Sequence, residues 1–247
     1  MCLCAYKPKS KTILISRLKS AHDANPDGWG LIWPWGSMRS CDGFNAFLEA
    51  YYEHAEDDLV IHFRTASSGA IGVENCHPFF VNVDLAFVEN GNLYEYADFF
   101  KFGRFDGKTD IRRFNDEVLK LLPKWFIYDP EIRKALEAYC KSNMTKMIFM
   151  DAAGGVSIVN EESGEWVDGV WYSNGGIDNY TGYGYSGAYY YSPWDVRHKG
   201  GLISVQQFAE SERTKWSKCP SCLGWYYEIN GFCEGCKIWH ELLKWRV

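Results

Sequence analysis

A cysteine at position 2, directly after Met1, offers this chain its most versatile chemistry. Loss of Met1 would leave Cys2 with a thiol and a free α-amine on one residue. Such an amine, with a reference pKa of about 7.7–8.0, can accept a proton near neutral pH. A thiol of reference pKa about 8.5 needs only modest activation to attack a carbonyl carbon. Nucleophile and base would then be joined covalently, with no histidine or aspartate recruited from elsewhere. The bland alternative is a small buried hydrophobe, a common role for cysteine.

Further polar residues stand at positions where a site could form. Residues 61–79 read IHFRTASSGAIGVENCHPF. Arg64, just after an apolar run of strand length, is a candidate for bidentate binding of a carboxylate; Ser67 and His77 could line the same pocket. Singly, Arg64 fits a structural ion pair and His77-Pro78 a turn. Asn90-Gly91 fits a type I′ hairpin turn. It also fits an oxyanion hole, an amide side chain and a backbone N–H aimed at the oxygen that gains charge during attack. Asp110 suits a helix N-cap or a partner for a substrate ammonium. Near the C-terminal end, Cys219-Pro-Ser-Cys222 and Cys233-Glu-Gly-Cys236 are separated by ten residues. Two such knuckles can surround one Zn²⁺ with four thiolates, a closed and therefore structural site. Metal binding would supply the folding energy that so small a unit lacks. A redox role for either C-x-x-C is the alternative.

Taken in order, Cys2, then Asp27-Gly28-Trp29-Gly30, His62-x-Arg64-x-x-x-x-Gly69, His77-Pro78, Asn90-Gly91 and Thr109-Asp110 resemble the glutaminase domain of class II glutamine amidotransferases, members of the N-terminal nucleophile hydrolases. The resemblance covers roughly residues 2–174. It departs from the family's pattern at Thr65, where an aromatic residue is frequent, and at Ser68, where many members have histidine. It implies a four-layer αββα sandwich and glutamine as substrate. By the same resemblance Cys2 is the nucleophile and Asn90 and Gly91 form the oxyanion hole. Arg64 grips the substrate carboxylate, Asp110 the ammonium, Ser67 and His77 line the pocket, and Asp27, Gly28 and Trp29 belong to a glycine-rich loop beside it. Residues 160–161 and 168–174 resemble a stretch of small stand-alone members of bacterial and phage origin. The released ammonia would then pass to a separate chain, an ATP-dependent ligase. The C-terminal unit resembles rubredoxin-like and ribosomal zinc ribbons. Hydrolysis of other γ-glutamyl amides or peptides remains open, as does a non-catalytic binding or regulatory role using the zinc ribbon.

The elements that must position these residues follow from periodicity. Residues 2–6, 12–16, 29–35, 59–64, 85–88, 146–151 and 156–160 have strand character. Helical spacing predicts helices over 43–55, 110–122 (ended by Pro123) and 130–141. Strands, helix, strands, helices, strands is an α+β order. Residues 172–194 are dominated by Gly, Tyr, Ser and Asn, as in a surface loop. The chain thus divides into an amidotransferase-like unit (1–214) and a zinc ribbon (215–247). Its 247 residues are 47% hydrophobic and 17% aromatic, which excludes wholesale disorder. A net charge of −6 gives no general basic field, so nucleic acid is not an expected partner. The sequence lacks an apolar run of membrane-spanning length and a visible secretory signal. Nine cysteines, an odd number, favour a reducing cytoplasm, a host's if the gene is a phage's.

Overall fold

The computed structural model describes residues 2–67, 69–93, 96 and 107–175, and the backbone of 216–218 and 225–227. The fold is α+β, with two antiparallel sheets in its main body and four α-helices. Six strands form the first sheet: β1 (Leu3–Lys7), β2 (Trp29–Trp33), β3 (Gly36–Ser40), β4 (Leu59–Phe63), β9 (Glu165–Val167) and β10 (Val170–Tyr172), in the order β3-β2-β4-β1-β10-β9. The second sheet runs β5 (Phe79–Asn82), β6 (Leu85–Asn90), β7 (Lys146–Asp151), β8 (Val156–Val159).

Side chains alternate across each strand, and three separate cores result. Leu3, Ala5, Leu31, Ile61 and Phe63 of the first sheet pack with Leu18 and Ala21 of α1 (Ile15–Ala24) and with Phe47, Ala50 and Tyr51 of α2 (Phe44–Glu53). Their neighbours of opposite parity, Cys4, Ile32, Val60 and Trp171, meet Phe80, Ala86, Val88, Ile148 and Met150 of the second sheet. The second sheet's other face, with Phe79, Phe87, Met147 and Phe149, packs on Ile111 and Phe114 of α3 (Asp110–Glu117) and on Ile132 and Leu136 of α4 (Pro130–Ser142). Replacing Trp171, fully buried in the core between the sheets, by alanine would cost about 3–5 kcal/mol.

Local chemistry explains the helix starts. Asp129 accepts from the N–H groups of Glu131 and Ile132 at 2.9 and 3.0 Å, with Pro130 in the first turn of α4. The Thr109 hydroxyl accepts from the Arg112 N–H at the start of α3. Residues 12–16, expected as a strand, instead lead into α1. The run TILIS is rich in β-branched residues, yet only Ile13 enters the core, Leu14 is exposed, and Leu18, Ala21 and His22 then bury one helical face. The polar β3 and the short β5, β9 and β10 carry too little pattern to be expected. The helix predicted over 110–122 is α3 followed by a 3₁₀ turn at Leu119–Leu121.

Lys7, at the end of β1, is fully buried. Its Nζ lies 2.8 Å from the Ala55 carbonyl, 2.9 Å from that of Asp57, 3.2 Å from Lys11 and 3.3 Å from Pro8. The 214/215 boundary and residues 176–194 of the expected loop lie outside the described residues. Beyond that boundary, β11 (Trp216–Lys218) pairs antiparallel with β12 (Trp225–Tyr227). Among the described residues no helix is long and apolar enough to cross a membrane.

Candidate active site

The register of the first sheet sets the site. β1 pairs with β4 so that Cys4 lies opposite His62 and Leu3 opposite Phe63, which brings the start of the chain beside the residues after β4. There the Thr65 N–H and carbonyl both lie 3.3 Å from the Cys2 Sγ. On the other side β1 pairs with β10, and Ser173 and Asn174 follow directly. The Ser173 hydroxyl accepts from the Cys4 N–H at 2.9 Å and from the Asn90 Nδ2 at 2.7 Å. The Ser173 N–H donates to the Cys4 carbonyl, and the Asn174 Nδ2 donates to the Cys2 carbonyl, both at 2.9 Å. One dipeptide therefore ties the Cys2 end of β1 to Asn90.

Cys2, His62, Arg64, Ser67, His77, Glu89, Gly91 and Asp110 line one cleft. They come from β4, β6, the start of α3 and the segments beside them, so the fold rather than the chain order assembles them. Arg64 is buried, and its Nη2 donates to the Ala70 carbonyl at 3.1 Å. Asp110, in the first turn of α3, accepts from the Leu93 N–H at 2.7 Å, so it is not the cap itself; Thr109 is. The Ser67 hydroxyl reaches the Asn92 Oδ1 at 2.8 Å at the rim. Asn75 braces the far wall, donating to the carbonyls of Ala70 and Gly107 and accepting from Arg112.

Asn90-Gly91 is not a hairpin turn. β6 ends at Asn90 paired with Lys146 of β7, distant in sequence, and the hairpins of this sheet lie instead between Asn82 and Leu85 and between Asp151 and Val156. A side chain at Gly91 would meet the Thr145 backbone and hydroxyl, so only glycine lets the chain turn away here with its N–H beside the cleft. Asn90 itself is buried behind the lining. Asp27, Gly28 and Trp29 are also not among the lining residues. Asp27 accepts from the Ala66 N–H at 2.8 Å, and the Gly28 carbonyl accepts from the Arg64 N–H at 2.8 Å. They hold residues 64–66 from behind. Trp29 is buried against Phe47, and its Nε1 donates to the Asp42 carbonyl.

Burial governs the electrostatics. The Cys2 thiol is pushed up to about 11 by desolvation, with the Glu89 charge adding and the Thr65 N–H and Arg64 opposing. His62 is pushed down to about 3 by burial and by Arg64, and His77 is held well below its ordinary value by burial and by neighbouring His62 and Arg64. Their rings stand 4.2 Å apart between centroids. Both are neutral and buried, with a backbone hydrogen bond to Glu89 opposing the His62 shift. Glu89 is raised to about 8 by burial and by the Asp110 charge, opposed by the Thr145 hydroxyl that donates to it and by Lys146. Its carboxyl is thus largely protonated at neutral pH.

Glu89, Ser173, Asn174 and Asn75 were not singled out for roles by sequence. The signal for Glu89 was an acid inside the apolar strand LAFVEN; Ser173 and Asn174 fell within the 168–174 stretch of the resemblance without a role attached, and Asn75 carried no local signal. Cys219, Cys222, Cys233 and Cys236 lie outside the described residues, though β11 and β12 flank the first knuckle in sequence. Among the described residues no group of three or more His, Cys, Asp or Glu side chains could hold a metal ion.

No protein-family model matches this chain, and no curated protein matches it.

Proposed function

We propose that the chain is an amidohydrolase of the class II glutamine amidotransferase type, with the four-layer αββα architecture of N-terminal nucleophile hydrolases. One observation carries this: Cys2, Arg64 and Asp110 line a single cleft. That arrangement suits a free amino acid held at both charged ends with its side-chain amide turned to a sulfur. The three cores, with sheets facing each other and helices outside, support the architecture.

In the proposed mechanism Met1 is absent and the Cys2 α-amine takes the thiol proton. The thiolate attacks the δ-carbon of glutamine. Gly91, which lines the cleft, would offer its N–H to the developing oxyanion, and Asn90, behind the lining with its Nδ2 donating to Ser173, would have to turn its remaining N–H toward the cleft to be the second donor. The ammonium returns a proton to the departing nitrogen, ammonia leaves, and water attacks the thioester to release glutamate. Arg64 and Asp110 would select against amides that lack either pole, because such amides cannot form the charge-assisted bonds that hold the amino acid. The ammonia would serve a separate ATP-dependent ligase.

We also propose one structural Zn²⁺ held by Cys219, Cys222, Cys233 and Cys236. The donor chemistry fits, and the antiparallel β11–β12 pair joined through the first knuckle supports it. Elemental analysis of the purified full chain should find stoichiometric zinc, and a Cys222→Ser/Cys236→Ser variant should lose it.

The decisive experiment incubates protein of verified N-terminal mass with glutamine and with a glutamine-analogue electrophile. Ammonia release and a covalent adduct on Cys2 are expected. A chain that begins at Cys2 and gives neither overturns the proposal. Faster turnover of γ-glutamyl amides or peptides than of glutamine would keep the nucleophile and change the substrate.

A further inference from the structure

Cys41 and Cys76 are remote in sequence, and neither belongs to the proposed chemistry. Their sulfurs stand 3.5 Å apart, in hydrogen-bonding contact. Cys41 follows β3 in the turn that leads to α2 and is partly exposed, whereas Cys76 is buried. We propose that these two thiols are an oxidation site that takes a hydroperoxide and closes to a Cys41–Cys76 disulfide, with Cys41 as the attacking sulfur and Cys76 as the resolving one.

Three features set those roles. The 3.5 Å contact with Cys76, in which either sulfur can donate, lowers the Cys41 pKa, and Arg64 acts in the same direction. Cys76 is held up by that same contact and by burial, so the proton stays with it. A partly accessible sulfur with thiolate character beside a second thiol is the arrangement that favours disulfide over deeper oxidation. Closing the bond requires the sulfurs to approach from 3.5 Å to about 2.05 Å. Cys76 has little freedom to move. Its carbonyl and that of Pro78 accept from the Arg39 Nη1 at 3.0 and 3.1 Å, and its sulfur packs over Gly28, where a Cβ would come within 2.3 Å. The exposed turn bearing Cys41 is the part that must shift.

The chemistry balances. The Cys41 thiolate attacks one peroxide oxygen and breaks the O–O bond, giving Cys41 sulfenic acid and an alkoxide or hydroxide that is protonated. The Cys76 sulfur then attacks the sulfenic sulfur, the S–O bond breaks, and the departing hydroxide takes the Cys76 proton. Two thiols and one hydroperoxide give a disulfide, water and an alcohol (or a second water). Because Cys76 directly precedes His77, a cleft-lining residue, the new bond would fasten the β3–α2 turn to one wall of the cleft.

The test treats the full chain with a stoichiometric amount of hydrogen peroxide, alkylates the remaining thiols and digests without reductant. The tryptic segments 40–64 and 65–101 should appear joined and should separate on reduction. The joined species should vanish in Cys41→Ser and in Cys76→Ser, while Cys76→Ser should leave Cys41 as a sulfenic acid trapped by dimedone. Recovery of Cys41 and Cys76 both alkylated while other cysteines are oxidised would overturn the proposal. So would a disulfide from Cys76 to any other partner. Thermal unfolding of each variant verifies that it is folded before the comparison is made.

Discussion

Cys2 and Cys41 are both partly exposed thiols, yet their surroundings push them in opposite directions. At Cys2, desolvation dominates and a nearby acid adds to it, so the thiol holds its proton well past neutral pH. At Cys41, contact with a neighbouring thiol and the Arg64 charge lower the pKa. In the proposed function, a buried Cys2 nucleophile would need a base delivered to it, and an N-terminal amine would be the shortest delivery available. A thiol in a turn beside a donor needs none. The two sites show that sulfur reactivity here is set by what faces the atom more than by how exposed it is.

The contrast can be broken most severely at the nucleophile. Cys2→Ala, or protein with Met1 retained, should lose glutamine hydrolysis by at least about 10³-fold, read as ammonia release. Next, Arg64→Gln should raise KM about 10²-fold with a smaller change in kcat, since it removes charge-assisted bonds made before and during attack. Ser173→Ala should lower kcat about tenfold with KM nearly unchanged, because the hydroxyl joins the Cys4 N–H to the Asn90 amide behind the substrate.

Glu89 sharpens the electrostatic half of the comparison. Its folded pKa, about 8, lies above the ordinary glutamate value of 4.5. The folded state therefore holds the proton more tightly, and this stabilisation is present at low pH and lost as pH rises toward 8. His62 has the opposite sign, its contribution being lost as pH falls from 6.5 toward about 3. Between pH 6.5 and 8 the Glu89 contribution changes while that of His62 does not. Urea denaturation should show wild-type stability falling across that window, by an amount on the order of 1–2 kcal/mol, and Glu89→Gln should flatten it. The smallest effect is kinetic. In protein that keeps Met1, iodoacetamide should label Cys41 about tenfold faster than Cys2, by peptide mapping. Equal rates would erase the distinction between the two thiols.

Long amphipathic or apolar segments were legible in the sequence. β7 matches its expected limits, Lys146–Asp151, and α2 and α4 fall within a residue or two of theirs. α1 was not legible, because its apolar residues begin with a β-branched run that reads as a strand. At the site, motif order drew attention to Cys2, Arg64, Ser67, His77, Gly91 and Asp110, which share a cleft. It drew equal attention to Asp27, Gly28 and Trp29, which support the wall without lining it. Sequence could not separate lining from support, since both need glycine and acid beside a strand end. Nor could it find Ser173, whose two partners come from β1 and β6, or the Cys41–Cys76 contact, which exists only because two distant turns meet.

Lys7 fixes more than its own surroundings. An ammonium caged by four carbonyls at one end of β1 acts as a peg against sliding. A one-residue slip would displace the strand about 3.3 Å and turn every side chain to the opposite face, which would carry the Cys2 sulfur away from Thr65 and the cleft. The depth to which Cys2 extends is thus gauged from the strand's far end, by a cation that does not line the cleft.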